Sequence, residues 1–174
     1  MVYVAFVAGA KTFTVKFNTA GTSTVSAKDT AGLGNTLTIF NHSAITVNPG
    51  SPVKLLVLVP GETADPGNTA SATPGKTGTP TPRMAGVNFS IEVRLTDNTW
   101  NLVSGYQPTI HIETIGDLYD DEPDDAQLNA DGKKTFNVTL LKAGINQTQI
   151  KASDVGLSYS DYTSPAITVI TQPV

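Results

Sequence analysis

Apolar and polar residues alternate one for one along several short stretches of this chain, and no long segment carries the three-to-four spacing of a helix. The clearest stretch is residues 88–95, where Phe89, Ile91, Val93 and Leu95 face one way and Asn88, Ser90, Glu92 and Arg94 the other. That is the pattern of a strand with one face in a core. Residues 109–113 repeat it with Ile110 and Ile112 inward, and residues 135–140, 147–152 and 166–170 continue it. Residues 53–59, VKLLVLV, are apolar on both faces, which predicts a central strand or one passing between two sheets. Residues 61–84 break the pattern with Pro, Gly, Thr and Ala and read as a loop or insertion. Short strands separated by regular turn signals predict a Greek-key sandwich. Its expected core is Phe89, Ile91, Val93, Leu95, Ile110, Ile112, Phe136, Val138, Leu140, Ile150, Ile167 and Val169.

Part of this pattern occurs twice. GAKTFTVKFNTAG (residues 9–21) and GKKTFNVTLLKAG (residues 132–144) are identical at seven of thirteen positions, at a constant offset of 123 residues. Downstream, Val25, Ala27 and Asp29 match Ile150, Ala152 and Asp154, and SAITV (residues 43–47) answers SPAITV (residues 164–169). A fixed period signals a tandem array. The chain therefore reads as the last three strands of one unit, residues 1–50, followed by a complete unit, residues 51–174. The three expected strands are residues 12–17, 22–28 and 44–47, and Asn48-Pro49-Gly50-Ser51-Pro52 makes a short, stiff joint between the units. On this reading Phe13, Val15 and Phe17 form an apolar face with no facing sheet in their own unit. An open face of that kind invites pairing, and the expected partner is the chain itself, as a homopolymer or through a neighbouring repeat.

Composition narrows the chemistry. The net charge is −4, and the eleven Lys and Arg are scattered singly, which leaves no basic stripe for nucleic acid. The absence of cysteine excludes disulfides, thiolate metal sites and a cysteine nucleophile. The apolar start MVYVAFVAG has no basic region before it and reads as strand, and no apolar run approaches the length of a membrane span, so membrane insertion is not expected.

Few residues suggest a site. The cluster Asp117, Asp120, Asp121, Glu122, Asp124 and Asp125 supplies the hard oxygen ligands calcium prefers, although its spacing matches no known calcium loop and a solvated loop is the plainer reading. ASATPGKT (residues 70–77) meets a relaxed phosphate-loop pattern, but the prolines that follow exclude the helix such a loop requires. His42 and His111 lie in different units and read as surface residues, and nothing resembles a nucleophile elbow or a paired-carboxylate site. No catalytic residue and no cofactor is expected. Trp100 and Tyr106 would serve a glycan or host-protein binding module, which together with an accessory domain of a secreted enzyme is the alternative to a structural role. The sequons at Asn41, Asn88, Asn137 and Asn146 are compatible with export and say little more. Lys54 and Lys134 are candidates for an isopeptide bond to an asparagine.

The run FSIEVRLTDNTWNLVSGY (residues 89–106), GKKTFNVTLLKAG with ASD (residues 152–154), and the closing SPAITV resemble the tandem immunoglobulin-like, Big-type repeats of bacterial surface and extracellular proteins. LLVLVPGET (residues 55–63), GKTGTPTP (residues 75–82) and AGVNF (residues 85–89) are similar to the opening of such a repeat. The resemblance covers residues 51–174 and the three strands before them. It implies an all-β immunoglobulin-like sandwich, an extracellular or cell-surface location, and a role in a stalk, shaft, filament or surface layer. The long loop at residues 61–84 and the acidic stretch at residues 116–125 depart from the family pattern.

Overall fold

A computed structural model describes residues 8–27, 39–70 and 72–172. Residues 1–7 of the expected N-terminal strand, the loop around Gly32 and Gly34, and Asp29 lie outside the described residues, and Ala8 and Gly9 of that expected strand form a turn. Among those described there is no helix. Residues up to Asn48 contribute β1 (Gly21–Ser23), β2 (Ser26–Ala27), β3 (Phe40–Asn41) and β4 (Ile45–Val47). Then follow β5 (Lys54–Leu58), β6 (Glu62–Ala64), β7 (Lys76–Gly78), β8 (Arg83–Met84), β9 (Asn88–Thr96) and β10 (Thr109–Ile115). The last five are β11 (Ala126–Gln127), β12 (Lys133–Thr139), β13 (Gly144–Asp154), β14 (Tyr162–Thr163) and β15 (Ile167–Ile170).

From β5 onward the strands build a sandwich. One sheet runs β12-β9-β5, and the other runs β11-β10-β13-β15-β8 with β14 paired to β13. All neighbours are antiparallel except β8 and β15, which run parallel. Two sheets joined by crossovers in this order form an immunoglobulin-like Greek key. Each strand lays its alternate apolar residues between the sheets, and all twelve expected core residues are buried there. Leu55, Val57, Val59, Leu128 and Ala152 complete the core. Burying one such side chain contributes roughly 1.5–3 kcal/mol before entropy is subtracted. As its two apolar faces predicted, β5 is buried on both, and its free edge is held by Ser160, which exchanges hydrogen bonds with Val53 and Leu55.

Residues 61–84 are more ordered than their composition suggests. They form the hairpin β6–β7, with Glu62 opposite Gly78 and Ala64 opposite Lys76, and then β8 at the sheet edge. The turn residues that hide a strand signal here also allow two backbones to meet closely.

The N-terminal segment repeats the ladder of the C-terminal one, pair by pair. Gly21 opposes Val47 as Gly144 opposes Val169, and Ser23 opposes Ile45 as Thr148 opposes Ile167. Ser26 opposes Asn41 as Lys151 opposes Thr163, and Ala27 opposes Phe40 as Ala152 opposes Tyr162. The His42 N–H donates to the Val25 carbonyl at 2.9 Å as the Ser164 N–H donates to the Ile150 carbonyl at 2.8 Å. One difference is a bulge: between Gly144 and Thr148 the strand spends four steps against the two from Val169 to Ile167. This bulge explains why the offset of 123 residues at Gly21 and Gly144 has become 125 at Val25 and Ile150.

The expected strand at residues 12–17 is a correction. Residues 11–18 pair with no described strand, and Phe13 and Val15 are 56% and 53% exposed. Their counterparts Phe136 and Val138 lie on β12, which has β9 beside it. Alternation alone does not make a strand when no neighbour supplies the ladder.

Candidate functional site: the junction between the two segments

β9 ends at Thr96, and the turn after it, Asp97-Asn98-Thr99-Trp100-Asn101, closes the sandwich end that faces the N-terminal segment. Asp97 and Asn101 are both buried. The Asp97 carboxylate binds the turn from within: Oδ1 accepts from the Thr99 N–H at 2.8 Å, the Thr99 hydroxyl at 3.0 Å and the Asn101 N–H at 3.0 Å. Its Oδ2 accepts from the Asn101 amide at 2.9 Å and from the Gly50 N–H of the joint at 2.8 Å.

Asn101 then reaches across. Its Oδ1 accepts from the Ala20 N–H at 2.8 Å, and its amide donates to the Asn18 carbonyl at 2.9 Å. A side-chain amide can mimic a backbone partner in this way because it carries one donor and one acceptor group side by side. Beside it the Thr19 hydroxyl donates to the Pro66 carbonyl at 3.1 Å. Gly67 is required there, since a Cβ on it would come within 2.1 Å of the Thr19 Oγ1. A groove of about 400 Å³ opens along the seam, walled by Phe17, Val47, Val53, Asp97 and Asn101 among others.

Charge at the junction follows from these bonds. Burial works against ionised Asp97, but the hydrogen bonds from Asn101, Gly50 and Thr99 outweigh it and hold the carboxyl below its usual range. Burial lowers the pKa of Lys54, with Asp97 opposing the shift. The Lys54 ammonium donates to the Asn98 carbonyl at 2.9 Å and lies 3.6 Å from the centroid of the Trp100 ring. Those contacts use its donors on a backbone oxygen and a π face, not on the asparagine side chain that an isopeptide bond requires.

Trp100 is a half-buried strut. Its backbone sits at φ 68°, a costly conformation for a large residue, and its ring meets Tyr162 edge-on at 5.9 Å. Gly75 lies directly beneath it, where a Cβ would fall 2.5 Å from the indole. Tyr106, its expected companion in a binding surface, is exposed.

Lys76, the lysine of the phosphate-loop-like string, is buried. Its ammonium donates to Glu62 Oε2 at 2.8 Å and to the Val57 carbonyl at 3.1 Å, and it lies 4.9 Å from the Tyr162 ring centroid. Burial lowers its pKa, with Glu62 opposing the shift. Burial and the nearby Glu62 push the Tyr162 phenol up to about 12. The second Glu62 oxygen, Oε1, is buried without a hydrogen-bond partner.

The acidic candidates are dispersed over separate partners. Asp117 Oδ2 accepts from the Leu141 and Lys142 N–H groups at 2.6 and 2.7 Å, tying the acidic loop to the turn after β12. Asp120 accepts from the Thr114 hydroxyl, and burial followed by the charges of Glu122 and Asp117 raises its pKa against that bond. Glu122 accepts from the Thr114 N–H at 2.8 Å, and Asp125 meets the His111 ring at 2.8 Å. Asp121 pairs through its backbone with Thr139, and Asp124 is exposed. Among the described residues no three His, Asp or Glu side chains converge to hold a metal ion.

Sequence reasoning found the Asp97-Asn98 turn and Trp100 but missed Asn101, Lys76 and Glu62. An asparagine between a tryptophan and a leucine carries no signal of burial, and the Lys76–Glu62 pair joins residues fourteen apart across a hairpin that read as loop. None of the protein-family models or curated protein sequences compared with the chain matches it.

Proposed function

We propose that this chain is a non-enzymatic structural repeat of an extracellular, cell-surface assembly such as a filament, stalk or surface layer. In this reading it is built from immunoglobulin-like repeats of the Big type. Residues 1–50 are the C-terminal strands of one unit and residues 51–174 the next unit, and the chain associates with itself through the incomplete one. The observation that carries the reading is the exposed Phe13 and Val15 beside a segment whose strand register otherwise repeats that of β13, β14 and β15. In the complete unit the matching Phe136 and Val138 are covered by the facing sheet. A partner chain that supplies a sheet to Phe13, Val15 and Phe17 would bury the same face.

The test is the full chain against its Phe13→Asp/Val15→Asp double variant, compared by sedimentation and electron microscopy over a concentration series. Both side chains are more than half exposed, so the change spares the fold. The reading expects oligomers or filaments from the parent and monomers from the variant. A parent that stays monomeric at every concentration, or a variant that assembles as the parent does, overturns it.

A further inference from the structure

The sandwich has two ends, and the structure shows what covers one of them. At the first, Asn101 grips the Asn18 carbonyl and the Ala20 N–H, and Asp97 grips the Gly50 N–H. At the other end lie the turn after β12, the start of the acidic loop and the end of β15, joined by the Asp117 bonds to Leu141 and Lys142. The constant offset through residues 9–21 and 132–144 makes Leu141 the counterpart of Asn18 and Ala143 the counterpart of Ala20. Asn18 and Ala20 are partly covered, whereas Leu141 and Ala143 are exposed. Among the described residues the Ala143 N–H and the Leu141 carbonyl have no hydrogen-bond partner. Ile145 follows Gly144 directly, and Leu118 and Tyr119 follow Asp117, which accepts from Leu141 and Lys142; the three are 78%, 89% and 75% exposed.

We propose that this second end is a docking surface for the Asp97–Asn101 turn of a further copy of the 51–172 unit, placed C-terminal to it as the present unit is placed after residues 1–50. In the joint, the incoming Asn101 receives the Ala143 N–H and donates to the Leu141 carbonyl, and Leu118, Tyr119 and Ile145 pack around the seam. The contact already seen is made through backbone groups of Asn18 and Ala20, so the differing side chains at positions 141 and 143 do not prevent its repetition. The ladder that positions those groups is also the same, with Gly21 opposite Val47 and Gly144 opposite Val169. Exposed apolar side chains of this size, clustered at one end, mark an interaction surface. The surface fits a partner with a buried-amide turn, because its central groups are one donor and one acceptor that no described residue pairs with. The inference rests on the repeat reading of the chain and not on self-association through Phe13 and Val15.

The test is a longer chain in which residues 49–172 are repeated directly after Ile170, made in the Phe13→Asp/Val15→Asp background so that association through that face does not enter. Residual dipolar couplings and small-angle scattering report whether the two sandwiches share one orientation. The expected result is a single alignment tensor and a rod-like profile. Asn101→Ala in the second copy alone then destroys the common tensor, as does Leu118→Asp in the first copy alone, which changes only an exposed side chain. Asn101→Ala in the first copy leaves the new joint aligned. Independent tumbling of the two sandwiches in the parent fusion overturns the proposal, and so does a second-copy Asn101→Ala variant that stays aligned. Fusions that associate side by side through Leu118 and Tyr119 also overturn it.

Discussion

Two segments of this chain share seven of thirteen residues and meet opposite fates. GKKTFNVTLLKAG becomes β12 and the turn after it, with Phe136, Val138 and Leu140 buried, whereas in GAKTFTVKFNTAG the matching Phe13 and Val15 are exposed and residues 11–18 form no ladder. The difference lies in the neighbour. β12 has β9 alongside it from Lys133 to Thr139, and the facing sheet covers its apolar side. No described strand plays either part for the first copy. Downstream the two copies agree again, because β1 and β2 have β4 and β3 to pair with, in the registers that β13 makes with β15 and β14. Sheet structure is thus a property of pairs of strands, and a pattern shows which face an element would bury, not whether anything will bury it.

The contrast is most sharply tested by matched truncations. Phe136→Ala should cost about 3–5 kcal/mol in urea unfolding, as large-to-small changes in a closed core do. In the monomeric chain, below the concentrations at which it assembles, Phe13→Ala should stay within about 0.5 kcal/mol, as surface changes do. Equal effects at the two positions under those conditions would mean that Phe13 is covered within its own chain. A change of comparable size is expected where the complete unit has a feature the first segment lacks. Lys76→Met leaves Glu62 charged and buried and should cost about 3 kcal/mol, while adding Glu62→Leu should restore most of the loss. A double variant as weak as the single one would show that the pair itself stabilises the hairpin.

Smaller effects belong to the junction. Asn101→Ala strands the Ala20 N–H and the Asn18 carbonyl, at about 1–3 kcal/mol, and should enhance amide exchange at Ala20 while leaving β9 protected. Acid should act on the same seam. The depressed Asp97 pKa contributes stability that is complete above its unfolded value of about 3.9 and is lost as pH falls through the lower folded value. The Gly50 and Asn101 amide signals should therefore shift below about pH 3.9 and not above it, and Asp97→Asn should abolish the shift. The smallest effect is spectroscopic: the Tyr162 phenol should ionise at about 12, as seen by the tyrosinate absorbance that Tyr162→Phe removes.

Much of the fold was legible because a half-buried strand writes its two faces into alternate residues. Each of the twelve expected core residues is buried, and the duplicated segments gave the repeat. The hairpin at residues 61–84 was not legible, since glycine and proline permit a close backbone crossing as readily as a loose loop. The junction was legible only in its turn, because what Asn101 binds lies 81 to 83 residues away along the chain.

By itself, then, the sequence determined which side chains would face inward and that residues 9–21 and 132–144 are copies of one segment, because periodicity and identity are local properties. The tertiary structure alone decided that one copy is paired and the other open, that Lys76 is inside with Glu62, and that a single asparagine joins the two segments. Each of these depends on which distant backbone comes alongside. Burial and hydrogen bonding are settled only when both partners are in place.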